Sequence, residues 1–182
     1  MDKEFIKKIL KESTGKYTRI AIFDFDGTLV DTPTPNTGVK EYKEITGQEW
    51  PHKGWWGRAE SLDMTIFDMP VIPEAIRGYN EQRSIEDTLM VMMTGRIKKL
   101  APEVEKILNY YNLVFDEYLY NTGGPTLSTK LNYLDLLIDK NPTTKYVHMY
   151  EDRNEHIGPF KAWGSTKEIE FKITEIKSGH HD

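Results

Sequence analysis

The chain has 182 residues, a net charge of −5 and no cysteine. The length fits one domain with a small insertion, and the lack of Cys excludes disulfides, zinc thiolates and thiol catalysis. The negative balance argues against a broad nucleic-acid-binding face but leaves room for a basic pocket that grips one phosphate.

No apolar run approaches the length of a membrane span, and the charged N-terminus is unlike a secretory signal, so a cytoplasmic protein is expected. Phe5, Ile6, Ile9 and Leu10 form one stripe of a first helix, with Gly15 as its stop. Residues 17–24 read as a buried strand, apolar and β-branched, that ends in Asp24-Phe25-Asp26-Gly27-Thr28-Leu29. Two carboxylates two residues apart at a strand end repel each other unless a cation sits beside them, and Mg²⁺ is the usual neutraliser for hard oxygen ligands. Asp-Gly alone would suffice for a turn, so the pair reads as chemistry.

Residues 31–70 are expected to be a flap or lid within a single domain spanning 1–182. Asp31 to Asn36 carries two Pro and reads as turn, Val39 to Ile45 as a short helix stopped at Gly47. Trp50, Trp55 and Trp56, interleaved with Gly and Pro, form either a mini-core that pins a long loop or a stacking surface over a site. Arg58 is a candidate substrate contact there.

Pro73 to Gln82 reads as a helix and Thr88 to Met93 as a second buried strand, ending in Thr94-Gly95-Arg96. Ile97, Leu100, Val104, Ile107, Leu108 and Tyr111 follow helical spacing, which predicts a helix over 97–111. Phe115 to Tyr120 reads as a short strand followed by the turn Asn121 to Pro125. Thr126 or Ser128 is then expected to cap a helix whose apolar face carries Leu131, Leu134 and Ile138, ended by Asn141-Pro142. Thr144 to Tyr150 reads as a strand ending in Glu151-Asp152-Arg153. Asn154 to Trp163 starts as a helix that Gly158-Pro159 is expected to interrupt, and Ile169 to Ile176 alternates as a final strand. The tail, with His180 and His181, is weak evidence for metal binding.

Strands alternating with helices predict an α/β fold: a three-layer, Rossmann-like parallel sheet with helices on both faces. In such sheets ligands bind beyond the carboxyl ends of the strands. Asp24/Asp26, Thr94, Asn121 and Glu151/Asp152 all fall at such ends.

The order Asp-x-Asp-Gly-Thr, Thr-Gly-Arg, a lysine near a helix start, then an acidic pair resembles the haloacid dehalogenase (HAD) superfamily of phosphotransferases over residues 17–176. The resemblance implies an HAD-like fold with a small or absent cap and a Mg²⁺-dependent phosphatase working through an aspartyl phosphate. It implies Asp24 as nucleophile, Asp26 as general acid and base, Thr94 on the phosphoryl oxygens and Lys130 as charge neutraliser. The metal would be held by Asp24, Asp26 through its carbonyl, Asp152 and Glu151. Gly95, Arg96, Asn121, Arg58, Trp55 and Trp56 are candidate substrate contacts. Arg96 and Arg153 could each grip a phosphate or pair with a local carboxylate.

A narrower set, Phe23 to Leu29, Thr32-Pro33, Pro35-Asn36 and Gly54-Trp55-Trp56, resembles HAD phosphatase domains associated with RNA-repair proteins. That resemblance implies polynucleotide or nucleotide phosphate ends, RNA or DNA, as substrate. No Walker-type kinase loop or ligase module is found, so any repair enzyme that works with this chain would be a separate partner. A small-metabolite phosphatase of the same fold is the alternative enzyme reading, and a non-catalytic binding module is the alternative outside enzymes.

Overall fold

The computed structural model describes residues 16–177. The N-terminal helix and the His-containing tail expected from the sequence lie outside the described residues. Five strands, β1 (Arg19–Phe23), β2 (Thr88–Ile97), β3 (Glu117–Asn121), β4 (Tyr146–Glu151) and β5 (Glu170–Glu175), form one sheet in the order β3-β2-β1-β4-β5. Every neighbouring pair is parallel. The helices are α1 (Pro35–Thr46), α2 (Pro73–Arg83), α3 (Ala101–Tyr110), α4 (Thr126–Lys140) and α5 (Asn154–Ser165).

Strand alternation sorts the core into two layers. Ala21, Phe23, Met90, Met92 and Tyr150 face one side and pack with Ala75 and Tyr79 of α2 and with Val104, Ile107 and Leu108 of α3. Ile20, Ile22, Leu89, Val91, Val147 and Met149 face the other and pack with Leu134 and Leu137 of α4 and Phe160 and Trp163 of α5. Both faces of the central strands are therefore covered, which is why they read as near-continuous apolar runs. Among the described residues no helix is long and apolar enough to cross a membrane.

Several boundaries differ from the sequence expectation, each for a local reason. Pro35 does not exclude regular structure; it opens α1, where its missing N–H is no loss. Gly47 ends that helix in the left-handed region, φ 72°. β2 runs on through Thr94-Gly95-Arg96 to Ile97, with a register shift against β3 between Met93 and Ile97. Such an irregularity re-aims side chains next to a site. The helix expected over 97–111 is split: a 3₁₀ turn, Lys98–Leu100, precedes α3, which has Pro102 in its first turn. Neither Thr126 nor Ser128 caps α4; Thr126 is its first residue and Pro125 the flanking one. Nor does Gly158-Pro159 interrupt α5. Gly158 has no Cβ to clash with the Pro ring, and Phe160 and Trp163 anchor the following turn in the core.

Behind the sheet's centre lies a polar network. Gln82 Nε2 donates to His148 Nδ1 at 2.9 Å, which leaves His148 Nε2 to donate to Thr174 Oγ1 at 2.7 Å. Burial, then the charges of Lys172 and Arg19, push the imidazole pKa from 6.5 down to about 4. Between those values the unfolded chain takes up a proton that the folded one refuses, so stability falls as pH drops through that interval. His148→Asn is expected to flatten part of the decline in urea midpoint between pH 7 and pH 4.5; an unchanged slope would assign it to other groups.

Candidate active site

β1 is the central strand, and the chain reverses direction of travel across the sheet beside it, with β2 and β3 on one side and β4 and β5 on the other. This switch point opens a crevice at the carboxyl ends of β1 and β4. A cavity of about 350 Å³ occupies it, lined by Asp24, Asp26, Trp56, Gly95, Arg96, Thr126, Lys130, Asp152, Arg153 and Glu155.

Asp24 follows β1 and stays tied to β4, its N–H donating to the Tyr150 carbonyl at 3.1 Å. Gly27 turns the chain back at φ 69°, where a side chain would be strained. The Leu29 N–H returns to the Asp24 carbonyl at 3.3 Å, and Thr28 Oγ1 donates to Asp152 Oδ1 at 3.2 Å. The loop thus holds the two acids of the motif and reaches across to β4.

Lys130, the fifth residue of α4, is 2% exposed. Its Nζ lies 3.0 Å from Asp24 Oδ1 and 2.7 Å from Glu151 Oε2. Burial works against its charge, but the carboxylates of Asp24 and Glu151 outweigh it and hold its pKa above the usual lysine value. Burial likewise opposes the charge of Glu151, yet the Lys130 ammonium and the Arg153 N–H keep its pKa down at about 2. Asp24 goes the other way: burial first, then the charge of Glu151, raise its pKa well above the usual carboxylate range, with Lys130 in opposition.

Asp24, Glu151 and Asp152 each present an oxygen within 4.8 Å of the others, a cluster able to hold a metal ion. Their roles differ. Glu151 Oε1 accepts the N–H groups of Asp152 and Arg153, each at 3.1 Å, and Oε2 accepts Lys130. Glu151 is fully buried and does not line the cavity, whereas Asp24 and Asp152 do.

Asp26 stands at the cavity beside them. Arg96 reaches it with Nε, 2.9 Å from Oδ2, and with one Nη, 2.8 Å from Oδ1. Thr32 Oγ1 donates to Oδ1 at 2.6 Å. Thr94 is buried, and its hydroxyl accepts the Arg96 N–H at 3.1 Å. Gly95 borders the cavity, where a Cβ would come within 2.8 Å of Thr126 Cγ2.

The Trp segment divides. Trp55 is buried in the core; its Nε1 donates to the Pro33 carbonyl at 3.0 Å and its ring meets Phe67 at 5.6 Å. Trp56 is 37% exposed at the cavity wall. Two further candidate contacts, like Trp55, lie away from this cavity. Asn121 turns its amide into its own loop, bonding Gly123 and Gly124. Arg58 borders a separate recess with His52 and Glu60. Thr126, Arg153 and Glu155 line the cavity, and of these the sequence offers only Arg153, as a phosphate grip or as the partner of a local carboxylate. The signal for the other two is positional: each lies in the first turn of a helix that follows a strand of the sheet.

Comparisons place this geometry. A chain in the structure of the Pnkp1/Rnl/Hen1 complex superposes with a TM-score of 0.56 at 14% identity, over 90% of this chain and 46% of that one. An archaeal β-phosphoglucomutase from Pyrococcus sp. strain ST 04 superposes at 0.51 and 18% identity, over 90% and 89% of the two chains. At these identities the likeness speaks to fold. The uncharacterized protein YMR265C of Saccharomyces cerevisiae is 22% identical over 169 residues, which cover 80% of this chain and 37% of the yeast protein. The chain thus spans less than half the length of both the first and the last of these relatives. The family model described as "HAD domain family 1 in Swiss Army Knife RNA repair proteins" matches residues 32–179. With a five-stranded parallel sheet, acids at the ends of β1 and β4 and a match over most of its length, the chain belongs to that family of HAD domains.

Proposed function

We propose that the protein hydrolyses phosphate monoesters at polynucleotide ends, through an aspartyl phosphate on Asp24 and with Mg²⁺. One observation carries the chemistry: the carboxylate of Asp24 faces a cavity, with Lys130 3.0 Å away and the Arg96-bound carboxylate of Asp26 across the same space. Asp24 attacks phosphorus as Asp26 protonates the leaving oxygen. Asp26 then takes a proton from the water that releases phosphate. Lys130 stays charged throughout and offsets the approach of two anions.

The donor set fits Mg²⁺. Three clustered carboxylates face one ammonium, and hard oxygen ligands are what this cation prefers. Asp24 and Asp152 would hold it, with Glu151 fixing Lys130 behind them. When bound, the ion would supply charge neutralisation and polarise a phosphoryl oxygen.

The RNA-repair setting of the family and the exposed Trp56 at the cavity wall support a polynucleotide end, since base stacking on an aromatic ring tolerates sequence. Repair enzymes are the expected partners. The test is Mg²⁺-dependent phosphate release from 3′- and 5′-phosphorylated oligonucleotides beside nucleotides and sugar phosphates. A higher kcat/KM for one class of oligonucleotide end is expected. Preference for sugar phosphates by orders of magnitude would replace this substrate with a small metabolite.

A further inference from the structure

Arg96 borders the cavity, yet its guanidinium is engaged by the protein rather than held open. It is 2% exposed. Nε and one Nη form a fork on Asp26, at 2.9 and 2.8 Å. The other Nη donates to the Trp56 carbonyl at 2.7 Å and to Ser61 Oγ at 2.8 Å. Four of its five N–H bonds are therefore taken. The Trp56 ring covers the guanidinium, 4.8 Å from the ring centroid to Cζ. Ser61 Oγ is itself anchored, donating to the Arg58 carbonyl at 2.6 Å. A side chain that grips a substrate phosphate would present this fork to the ligand; here the fork is presented to Asp26.

We propose that Arg96 is a positioning residue for Asp26, which it aims at the leaving oxygen and at the attacking water, and that it ties this aim to the cavity wall through Trp56 and Ser61. The proposal rests on the phosphatase mechanism above. In the first step Asp24 forms a bond to phosphorus, the ester P–O bond breaks, and its electron pair leaves on the oxygen that takes the Asp26 proton. In the second, water oxygen bonds to phosphorus, its proton returns to Asp26, and the P–O bond to Asp24 breaks. Both steps use Asp26, but a good leaving group needs no proton in the first.

Arg96→Lys loses the planar fork while keeping a charge. With Mg²⁺ present, it is expected to slow an alkyl phosphate about 100-fold. With p-nitrophenyl phosphate it is expected to give a near-stoichiometric burst of nitrophenol, because phosphorylation proceeds while hydrolysis of the intermediate lags. In an Asp26→Asn background, Arg96→Lys is expected to change neither rate further. Ser61→Ala removes an anchor of Arg96 without touching Asp26, and is expected to shift the alkyl/aryl ratio in the same direction by less. A raised KM on both esters without a burst, or a further loss in the Asp26→Asn background, would make Arg96 a phosphate ligand and overturn the proposal. Equal loss on both esters with a lowered Tm would overturn it in favour of a structural role. A wild-type protein inactive on both esters would instead remove the phosphatase mechanism on which it rests.

Discussion

Asp24→Asn is expected to lower phosphate release from an aryl phosphate by at least about four orders of magnitude, the scale seen when a covalent nucleophile is removed. The fold is expected to survive, and without divalent cation its Tm should equal or exceed that of the wild type. The second half follows from linkage. Burial and the Glu151 charge raise the folded pKa of Asp24 above its ordinary 3.8. The stability tied to its proton is fully present below 3.8 and is lost as pH rises through the raised value. At neutral pH, above the ordinary 3.8, the Asp24 carboxyl therefore weighs against the native state, and an uncharged Asn of the same shape does not. Added Mg²⁺ should raise the Tm of the wild type more than that of the variant. A variant that melts far below the wild type in the absence of cation would contradict the electrostatic account, and retained turnover would remove Asp24 from the chemistry.

Lys130→Met carries the second large effect, this time on both stability and rate. The methionine fills a similar volume but leaves Asp24 and Glu151 buried without their shared cation. Breaking a buried pair in this way costs about 3–5 kcal/mol, or about 10 °C in Tm for a domain of this size. Loss of the ammonium beside the reacting group should slow turnover by at least about 100-fold. Mg²⁺ should recover part of the stability, because the variant's cluster has one positive charge fewer. An unchanged urea midpoint would mean that the ion pair is replaced without loss and that Lys130 serves catalysis alone.

Much of this site can be read in one dimension because its parts end strands. Apolar runs give β1, β2 and β4, and acids where such runs stop must lie at the sheet's carboxyl edge. Lys130 shows how far this goes: its position in the chain points to the edge, but only the packing of α4 shows it sandwiched between Asp24 and Glu151. What stayed hidden depends on side-chain direction. The partner of Arg96 is set where β2 slips register against β3, and no residue pattern announces that slip. Asn121 was drawn towards the substrate by its place at a strand end, but Asn bonds readily to the turn that follows it, and here it does. The Trp cluster could not be divided from sequence, because adjacent residues on a loop face opposite ways: Trp55 into the core and Trp56 onto the cavity.

The strand order has a consequence for biosynthesis. Ile20 pairs with Leu89 on one side but with Val147, 127 positions later, on the other. The strand that leads into Asp24, the proposed nucleophile, emerges from the ribosome before the other four strands of the sheet and waits for its second neighbour until most of the chain has followed. Glu151 and Asp152 arrive with that neighbour. A nascent chain halted before Tyr146 would expose one edge of its central strand and hold the Asp24 carboxylate without the two acids that cluster with it. The carboxylate cluster and closure of the sheet are thus completed by the same late segment, and a stalled chain is open to aggregation along that edge.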